Sequence, residues 1–318
     1  MLCMSDDAFD EFSFLPEQAA EISSGPVPPV RRLTLDLPDG RVLSALRFGS
    51  DEPRITLLHG AGLNAHTWDT TLLALGVPAV AIDLAGHGES TWRADLDYTP
   101  HTLADDVVRG MRAWTQEPQV LVGHSLGGLT AAAVTAMAPE LVRALVLIDI
   151  TPGVDPSAGP QQIQSFFAGP TDWASRDELV ERAMSFGFGG SRRATERGVY
   201  LNSRVREDGR VEWKHHFAHL AAMMANAPRP PAEAVTAPTA PTMADALSVA
   251  VWSDLESITV PVTLIRGDQG YVTPADLEEF RSRLPTASVV TVPAHHNVHE
   301  EIPVALADLL RERVADPR

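Results

Sequence analysis

The chain is poor in cysteine and lysine and contains no long apolar run. It contains one cysteine, Cys3, so neither an internal disulfide framework nor a cysteine metal site is available. Lys214 is the single lysine among 25 basic residues, which we attribute to genomic composition. No apolar run approaches the roughly 20 residues that a membrane-spanning helix needs. We therefore expect a protein that contains no structural disulfide and that does not bind a membrane.

Positive charge is also scarce. The chain carries 42 acidic and 25 basic residues, and its net charge at pH 7 is −17. Nucleic acids and anionic membranes are bound by basic faces, so this balance disfavours both as partners. The first four residues are followed by acids, without the basic and long apolar regions of a signal peptide. We expect a cytoplasmic protein, monomeric or homodimeric, that acts on a small molecule.

The first 30 residues differ in composition from the rest of the chain. They hold six acids, no lysine or arginine, and prolines at positions 26, 28 and 29. Charged segments with little apolar surface to bury remain mobile. We predict a mobile acidic segment over residues 1–30, in which a few apolar side chains could still dock: Phe9, Phe12, Phe14 and Leu15.

Beyond residue 30, the hydrophobic pattern alternates between strand and helix periods. Pro-Asp-Gly at 38–40 separates two apolar segments and predicts a β-hairpin over 32–48. Apolar strands then alternate with amphipathic helices up to residue 150 and again from 260 to 318, which predicts a doubly wound, mostly parallel sheet. The further predicted strands are 54–58, 79–83, 119–122, 144–150, 260–265 and 288–292, and the helices are 67–75, 103–114, 274–283 and 303–314.

The alternation stops between residues 151 and 259. This excursion is too long for a simple loop between two strands of one sheet. We predict an inserted helical cap over the carboxyl ends of the strands, where such sheets bind ligands. Its predicted helices are 161–167, 176–186, 192–202 and 213–227. Five prolines among alanines and threonines make residues 227–245 a low-complexity stretch that we predict to be mobile.

A serine motif directly follows the predicted strand 119–122. Residues 123–128 read GHSLGG and precede a run of small residues, so the local order is strand, sharp turn and helix. This order is typical of a nucleophile elbow, in which Ser125 lies at the apex and Gly123 and Gly127 avoid backbone collisions. We predict that Ser125 is a nucleophile.

A serine nucleophile needs donors for its oxyanion and a base for its proton. HGAG at residues 59–62 follows a predicted strand, and its small residues would let the Ala61 amide pair with the Leu126 amide as an oxyanion hole. The base should lie near the C-terminus, because the chain order in this fold is serine, acid, histidine. We predict His296 as the base, with His295 as its rival and His299 as a supporting residue.

These motifs together resemble the α/β-hydrolase superfamily from about residue 31 to the end. The chain is similar to its branch of capped esterases, C–C hydrolases and epoxide-hydrolase-like proteins. The resemblance implies an eight-stranded sheet and serine hydrolase chemistry without a cofactor or metal. Because the nucleophile here is serine, we do not expect the activity of the epoxide hydrolases and dehalogenases of this superfamily, which attack with aspartate. The matching motifs are HGAG at 59–62, DLAGHGES at 83–90, GHSLGG at 123–128, LIDITP at 147–152 and IRGD at 265–268.

The resemblance leaves two alternatives for the acid of the triad. In most of the family this acid stands three residues after the glycine of the Gly-Asp turn, and that position is Gly270 here. Asp149 ends the apolar strand after the elbow, where a buried carboxylate needs a partner, and some family members place the acid there. Asp268 could serve instead from a shifted turn. We predict that Asp149 contacts Nδ1 of His296 at hydrogen-bond distance.

The sequence thus predicts a cofactor-independent serine hydrolase that cleaves a small-to-medium apolar ester or lactone through an acyl-enzyme. Aromatic and methionine-rich cap segments would line an apolar pocket. Two alternatives stay open, because fold alone does not define function: a non-hydrolytic lyase, cyclase or haloperoxidase-like enzyme, and a ligand-binding receptor with a vestigial triad. Metal binding at Asp83 and His87 is disfavoured, because no cluster has ligand spacing. Further pocket candidates are His59, Gly60, His124, Trp213 and His216.

Overall fold

A computed structural model describes residues 10–154, 165–166, 169–186, 190–226 and 243–315. Its strands are β1 (Val30–Asp36), β2 (Val42–Phe48), β3 (Ile55–Leu58), β4 (Ala79–Asp83), β5 (Gln119–His124), β6 (Val142–Ile148), β7 (Asp172–Trp173), β8 (Ser203–Val205), β9 (Val211–Trp213), β10 (Val262–Gly267) and β11 (Ser288–Val292). Its helices are α1 (Leu15–Glu21), α2 (Asp69–Leu75), α3 (Pro100–Trp114), α4 (Leu126–Met137), α5 (Arg176–Ser185), α6 (Arg192–Asn202), α7 (Phe217–Asn226), α8 (Met243–Ser257), α9 (Pro274–Arg283), α10 (Val298–Glu301) and α11 (Pro303–Ala315).

Eight of these strands form the central sheet, in the order β1-β2-β4-β3-β5-β6-β10-β11. Strands β1 and β2 pair antiparallel as a hairpin, and β2 pairs antiparallel with β4. The other five pairs of this sheet are parallel. Strands β3, β4 and β5 are buried at every position, as expected for strands covered on both faces. The predicted doubly wound, mostly parallel eight-stranded sheet is confirmed.

Helices cover both faces of this sheet and create two apolar layers. One layer joins the sheet to α3, α4, α8 and α9, and the other joins it to α1, α2 and α11. The sequence missed α8, whose Val251, Trp252 and Leu255 are buried in the first layer. Part of the segment 151–259 therefore packs into the core instead of belonging to a separate cap. Among the described residues, no helix is long and apolar enough to span a bilayer.

Described residues between 166 and 226 form a small body with its own core. Three short strands pair antiparallel in the order β7-β9-β8, and α5, α6 and α7 accompany them. The predicted helix 213–227 is wrong at its start, because Trp213 ends β9 and α7 begins at Phe217. Strands of two or three residues are too short to show a recognisable alternation. The mobile stretch predicted at 227–245 lies outside the described residues up to 242, and residues 243–245 begin α8.

The described part of the acidic N-terminal segment is packed, so the predicted mobility is wrong there. In α1, Leu15 and Ala19 are buried in the layer that includes α2 and α11. Three of the segment's acids pair with arginines elsewhere in the chain: Glu11 with Arg32 at 2.5 Å, Glu17 with Arg193 at 2.6 Å and Glu21 with Arg197 at 3.2 Å. The sequence showed the acids but not these distant partners.

Candidate active site

Ser125 occupies a turn of one residue between β5 and α4. Its φ of 51° and ψ of −121° place a non-glycine residue in a sparsely populated region of conformational space, as is common at functional sites. A Cβ on Gly123 would lie 2.2 Å from the Gly127 carbonyl oxygen, and one on Gly127 would lie 2.4 Å from that of Leu58. The two glycines therefore allow β5, β3 and α4 to approach closely enough to form the turn.

The loop after β3 passes beside this serine. A Cβ on Gly60 would lie 3.2 Å from Cβ of Ser125. Nε2 of His59 accepts from the Leu84 amide at 3.0 Å, so its Nδ1 carries the proton and donates to the Gly60 carbonyl oxygen at 2.8 Å. In a planar trans peptide the N–H points opposite to the C=O. His59 thereby fixes the direction of the Ala61 amide, one of the two predicted oxyanion donors.

Leu126, the other predicted donor, is the first residue of α4. The first amides of a helix have no acceptor within it and carry the positive end of the helix dipole. The Ser125 carbonyl oxygen accepts from the amides of Gly128 and Leu129 at 2.8 and 3.2 Å. Ala61 and Leu126 are both partly exposed, so a ligand can reach this point of the loop and helix.

Asp83 and His87 support the same loop. Asp83 pairs with Arg32 at 2.7 Å and accepts from the Ala65 amide at 2.7 Å, while Nε2 of His87 accepts from the Gly62 amide at 3.1 Å. Burial lowers the pKa of His87 well below its usual value, so the ring is neutral and can accept. No group of three or more possible metal ligands occurs among the described residues.

The structure brings Asp149 and His296 together. Asp149 follows β6, His296 follows β11, and Oδ2 of the carboxylate lies 2.8 Å from Nδ1 of the imidazole. The carboxylate also accepts from the amides of Gly267 and Tyr271 at 3.0 and 2.7 Å. Asp149 has no solvent exposure, and its φ is 46°. The backbone of Asp149 is thus strained, and its fully buried carboxylate is held by three donors, one of which is the predicted base.

Gly270 explains how the acid can come from β6. A Cβ at this position would lie 2.1 Å from Oδ1 of Asp149. The space that a side chain at 270 would enter is therefore filled by the Asp149 carboxylate. The contact of Asp149 with His296 therefore needs a glycine at position 270 as well as the aspartate at 149.

The rival candidates lie at the surface. Asp268 is exposed, and its backbone amide donates to the Val292 carbonyl oxygen. The side chain of His295 is 65% exposed and pairs with Glu301 at 3.0 Å. The acid that contacts His296 is Asp149.

His124 and His299 surround the backbone and ring of His296. Nε2 of His124 lies 3.0 Å from the His296 carbonyl oxygen, and its ring centroid is 4.5 Å from those of both His296 and His299. His299 contacts Oγ1 of Thr67 through Nε2 at 2.8 Å. Burial, assisted by neighbouring histidines, lowers the pKa of His299 to about 3 and that of His124 well below its ordinary value. Both rings are neutral supports for the loop that carries His296.

Trp213 and His216 lie in and beside the inserted body. The Trp213 ring packs against Phe166 and Trp173 in the core of that body. His216 stacks on Trp92 at 4.3 Å, and its Nδ1 lies 2.7 Å from the hydroxyl of Tyr98. These contacts place Trp213 in the packing of the insertion and His216 where the insertion meets the sheet domain.

Two residues that the sequence argument missed contact this site. The Tyr271 ring stacks on His296, with centroids 3.7 Å apart and planes 14° apart. Asn202, at the end of α6, donates through Nδ2 to the Gly62 carbonyl oxygen at 2.6 Å. Tyr271 directly follows Gly270, in the turn where the family usually places the acid. Its position in the sequence could therefore have indicated that it lies at the site. Nothing in the local sequence marks Asn202.

Comparisons with known proteins agree with this fold. The profile of the alpha/beta hydrolase family matches residues 57–309. Esterase Rv0045c of Mycobacterium tuberculosis is 32% identical over 97% of this chain and 98% of its own length. Protein phosphatase methylesterase 1 of Bos taurus is 34% identical over 44% of this chain and 39% of its own. A solved structure of the M. tuberculosis esterase has a TM-score of 0.79 at 30% identity and covers 97% of this chain and 100% of that one. The structure of E-2-(acetamidomethylene)succinate hydrolase, at 22% identity and a TM-score of 0.74, shares the fold.

The chain therefore belongs to the alpha/beta hydrolase family, as its motifs predict. Its similarity to a named esterase extends over almost the whole length of both proteins. Within the family, it is a carboxylic ester hydrolase.

Proposed function

We propose that the chain hydrolyses a small-to-medium apolar ester or lactone through an acyl-enzyme on Ser125, with His296 as the base and Asp149 as the acid. The observation that carries this proposal is the 2.8 Å contact between Oδ2 of the fully buried Asp149 and Nδ1 of His296. A buried carboxylate is costly unless it is paired, and its partner here is the histidine that the family order assigns to the base.

The residues have distinct roles in the proposed reaction. Oγ of Ser125 attacks the ester carbonyl carbon while Nε2 of His296 takes its proton. Asp149 keeps the other imidazole proton on Nδ1 and stabilises the imidazolium that forms. The carbonyl oxygen gains negative charge, which the amides of Ala61 and Leu126 stabilise. Nε2 then returns the proton to the leaving alcohol, and water repeats the sequence on the acyl-enzyme.

An apolar substrate is supported by the side chains around α4 and the insertion. Leu126, Leu129, Phe217 and Leu220 are partly buried apolar residues that pack against the core layer containing α4. The contact of Asn202 with Gly62 supports the proposal that the insertion acts as a cap beside the oxyanion loop. Ligand sites of this kind are mostly apolar with a few polar groups that fix orientation.

Turnover of p-nitrophenyl esters with acyl chains of graded length tests this function. We expect Ser125→Ala to fold normally and to lose at least about 10³-fold in kcat, as other triad serine knockouts do. In water enriched in oxygen-18, the acid product should gain one labelled oxygen. Stoichiometric labelling by a fluorophosphonate without ester turnover would instead indicate a receptor. Conversion of a substrate without solvent oxygen in the product would indicate a lyase or cyclase.

A further inference from the structure

The proposed oxyanion loop is held from two sides at Gly62. On the side of the sheet domain, the Gly62 amide donates to Nε2 of His87 at 3.1 Å. On the other side, Nδ2 of Asn202 donates to the Gly62 carbonyl oxygen at 2.6 Å. Asn202 is the last residue of α6, so this second contact comes from the insertion. Both backbone polar groups of the residue next to Ala61 are therefore fixed by side chains.

A second asparagine ties the same loop to the same helix end. Nδ2 of Asn64 donates to the Leu201 carbonyl oxygen at 2.9 Å and to Oδ1 of Asn202 at 3.3 Å. Oδ1 of Asn64 accepts from the His66 amide at 3.0 Å. Because Oδ1 of Asn202 is the acceptor for Asn64, its Nδ2 faces Gly62, and the hydrogen bonds agree on one orientation of both amides.

These contacts hold the part of the loop after Ala61, whereas His59 holds the peptide before it. Gly62 has a φ of 76° and no side chain to pack, so hydrogen bonds to its backbone define its conformation. An oxyanion donor acts only when it points to where the charge develops, at about 2.7–3.1 Å. A rotation of the peptide units next to Ala61 would misdirect its amide and reduce the rate.

The helix that carries Asn202 is itself fixed to the rest of the molecule. Arg193 and Arg197 of α6 pair with Glu17 and Glu21 of α1 at 2.6 and 3.2 Å. Helix α1 is packed on the sheet domain through buried side chains such as Leu15. The end of α6 therefore has a defined position relative to the loop.

We propose that Asn202 is a positioning residue for ester hydrolysis, which holds the oxyanion loop in its productive conformation from the insertion. The insertion then contributes to the rate of the chemical step in addition to covering the substrate. This inference rests on the proposed function, because it takes the Ala61 amide as an oxyanion donor.

Two substitutions remove the donor and keep the size of the side chain: Asn202→Asp, whose carboxylate only accepts, and Asn202→Leu, which has no polar group. We expect each to lower kcat by about 10- to 100-fold with KM within about twofold, because the interaction acts in the transition state. Glu196→Gln is the matched control, since the side chain of Glu196 is 38% exposed and its ion-pair partners among the described residues are Arg192 and Arg193 of the same helix. Its kcat should stay within about twofold of the unchanged protein.

A trifluoromethyl ketone separates positioning from a structural role. The Ser125 oxygen adds to the ketone carbon, its proton passes to His296, and the carbonyl oxygen becomes an oxyanion in the hole. Its inhibition constant should rise in the Asn202 variants by the same factor by which kcat/KM falls. Rates are expressed per site that a fluorophosphonate labels at the end point, so a loss of folded protein does not lower the measured kcat.

Unchanged kcat in both Asn202 variants would overturn the inference, as would a fall in kcat with an unchanged ketone inhibition constant. If the unchanged protein neither labels nor hydrolyses esters, the proposed function fails and this inference fails with it. Normal turnover by the unchanged protein and by both variants would overturn the role of Asn202 alone.

Discussion

Asp149 and Gly270 form a matched pair at the residue scale. The buried carboxylate lies where a Cβ at position 270 would be, and it receives hydrogen bonds from two backbone amides besides the imidazole. Only one carboxylate fits beside Nδ1 of His296. The chain supplies it from the end of β6 and leaves the turn after β10 without a side chain.

The first prediction concerns Asp149 itself. Asp149→Asn should keep the fold and lower kcat by about 10⁴-fold, because an amide no longer holds the correct tautomer of His296 or stabilises the imidazolium. Asp268→Asn is the control, and its kcat should fall less than about threefold because Asp268 is exposed. Steady-state ester turnover checks both. A larger loss for Asp268→Asn than for Asp149→Asn would reverse the assignment of the acid.

The second prediction tests whether the acid can be moved. Gly270→Asp alone should be harmful, because two carboxylates would compete for one space. Combined with Asp149→Gly, it should give a kcat at least about tenfold higher than that of Asp149→Gly alone, since a carboxylate again reaches His296. Both single variants and the double variant are compared by kcat per labelled site. A double variant no more active than Asp149→Gly would show that position 270 does not share the space.

Single residues of the site differ in how far the sequence predicts them. Ser125 is marked by its own motif, and His296 by its place after the last strand. Asp149 follows from a strand end together with the glycine at 270, and the predicted contact with His296 is present. Asn202 lies 140 residues from Gly62, and only the folded chain brings the two together. Contacts between distant segments leave no local pattern in the sequence, so they cannot be predicted from it.

At the scale of elements, α1 connects the sheet domain with the insertion. Its buried face packs on the sheet domain, its acids pair with α6, and Glu11 just before it pairs with Arg32. Exposed ion pairs contribute little, typically below about 1 kcal/mol, whereas a fully buried leucine contributes several. The apolar contacts of α1 should therefore dominate its contribution to stability.

The third prediction follows from this comparison. Leu15 is 2% exposed, so Leu15→Ala should lower the free energy of unfolding by about 2–5 kcal/mol. Glu17→Gln, on the exposed side of the same helix, should change it by less than about 1 kcal/mol. Urea unfolding at constant pH measures both values. An effect of Leu15→Ala below about 1 kcal/mol would mean that α1 is not a stable part of the fold in solution.

The elements of the sheet were predicted better than those outside it. Buried parallel strands read as continuous apolar runs, so β4 was predicted with the bounds that the structure shows. The half-buried edge strand β11, rich in valine and threonine, was also predicted with its observed bounds. The strands β7, β8 and β9 have two or three residues each and show no usable period. Helix α8 was missed because the proline-rich composition before it masked its start. Tertiary packing, which the sequence does not show, determines these elements.

Buried histidines set the pH response of the whole molecule. Burial lowers the pKa of five of them below the ordinary 6.5, and His215 and His299 fall to about 3. In the unfolded chain these groups bind protons below pH 6.5, whereas in the folded chain they stay neutral. The stability that these five rings contribute is therefore complete above pH 6.5 and is lost as the pH falls. Buried His66 differs, because Asp69 raises its pKa to about 9, and its contribution is lost as the pH rises above 6.5. The five are His59, His87, His124, His215 and His299.

The fourth prediction gives the size of this effect. Between pH 6.5 and about 3, His215 and His299 each contribute a slope of about 1.4 kcal/mol per pH unit, so the two together contribute about 2.8 kcal/mol per pH unit. Buried Asp69 and Glu300, whose pKa values burial raises, oppose it in part. His59, His87 and His124 act in the same direction as His215 and His299, so we expect acid unfolding above about pH 4. Far-ultraviolet circular dichroism between pH 7 and 3 measures the midpoint.

Two variants identify the groups responsible for that midpoint. His215→Phe should reduce the slope of unfolding free energy against pH by about 1.4 kcal/mol per pH unit, because one buried neutral histidine is removed. Leu15→Ala is the control: it should lower the free energy of unfolding at every pH and leave the slope unchanged, because it removes no titratable group. A fully folded protein at pH 4 would contradict the view that these buried rings are neutral.

The central claim, that ester hydrolysis proceeds through an acyl group on Ser125, is tested most directly by mass spectrometry. The protein is mixed with a p-nitrophenyl ester, quenched in acid within the first turnover and digested. The account predicts one acyl adduct per chain on the peptide that carries Ser125, and none in Ser125→Ala. An adduct on another residue, or ester turnover by Ser125→Ala within about tenfold of the unchanged protein, would contradict it.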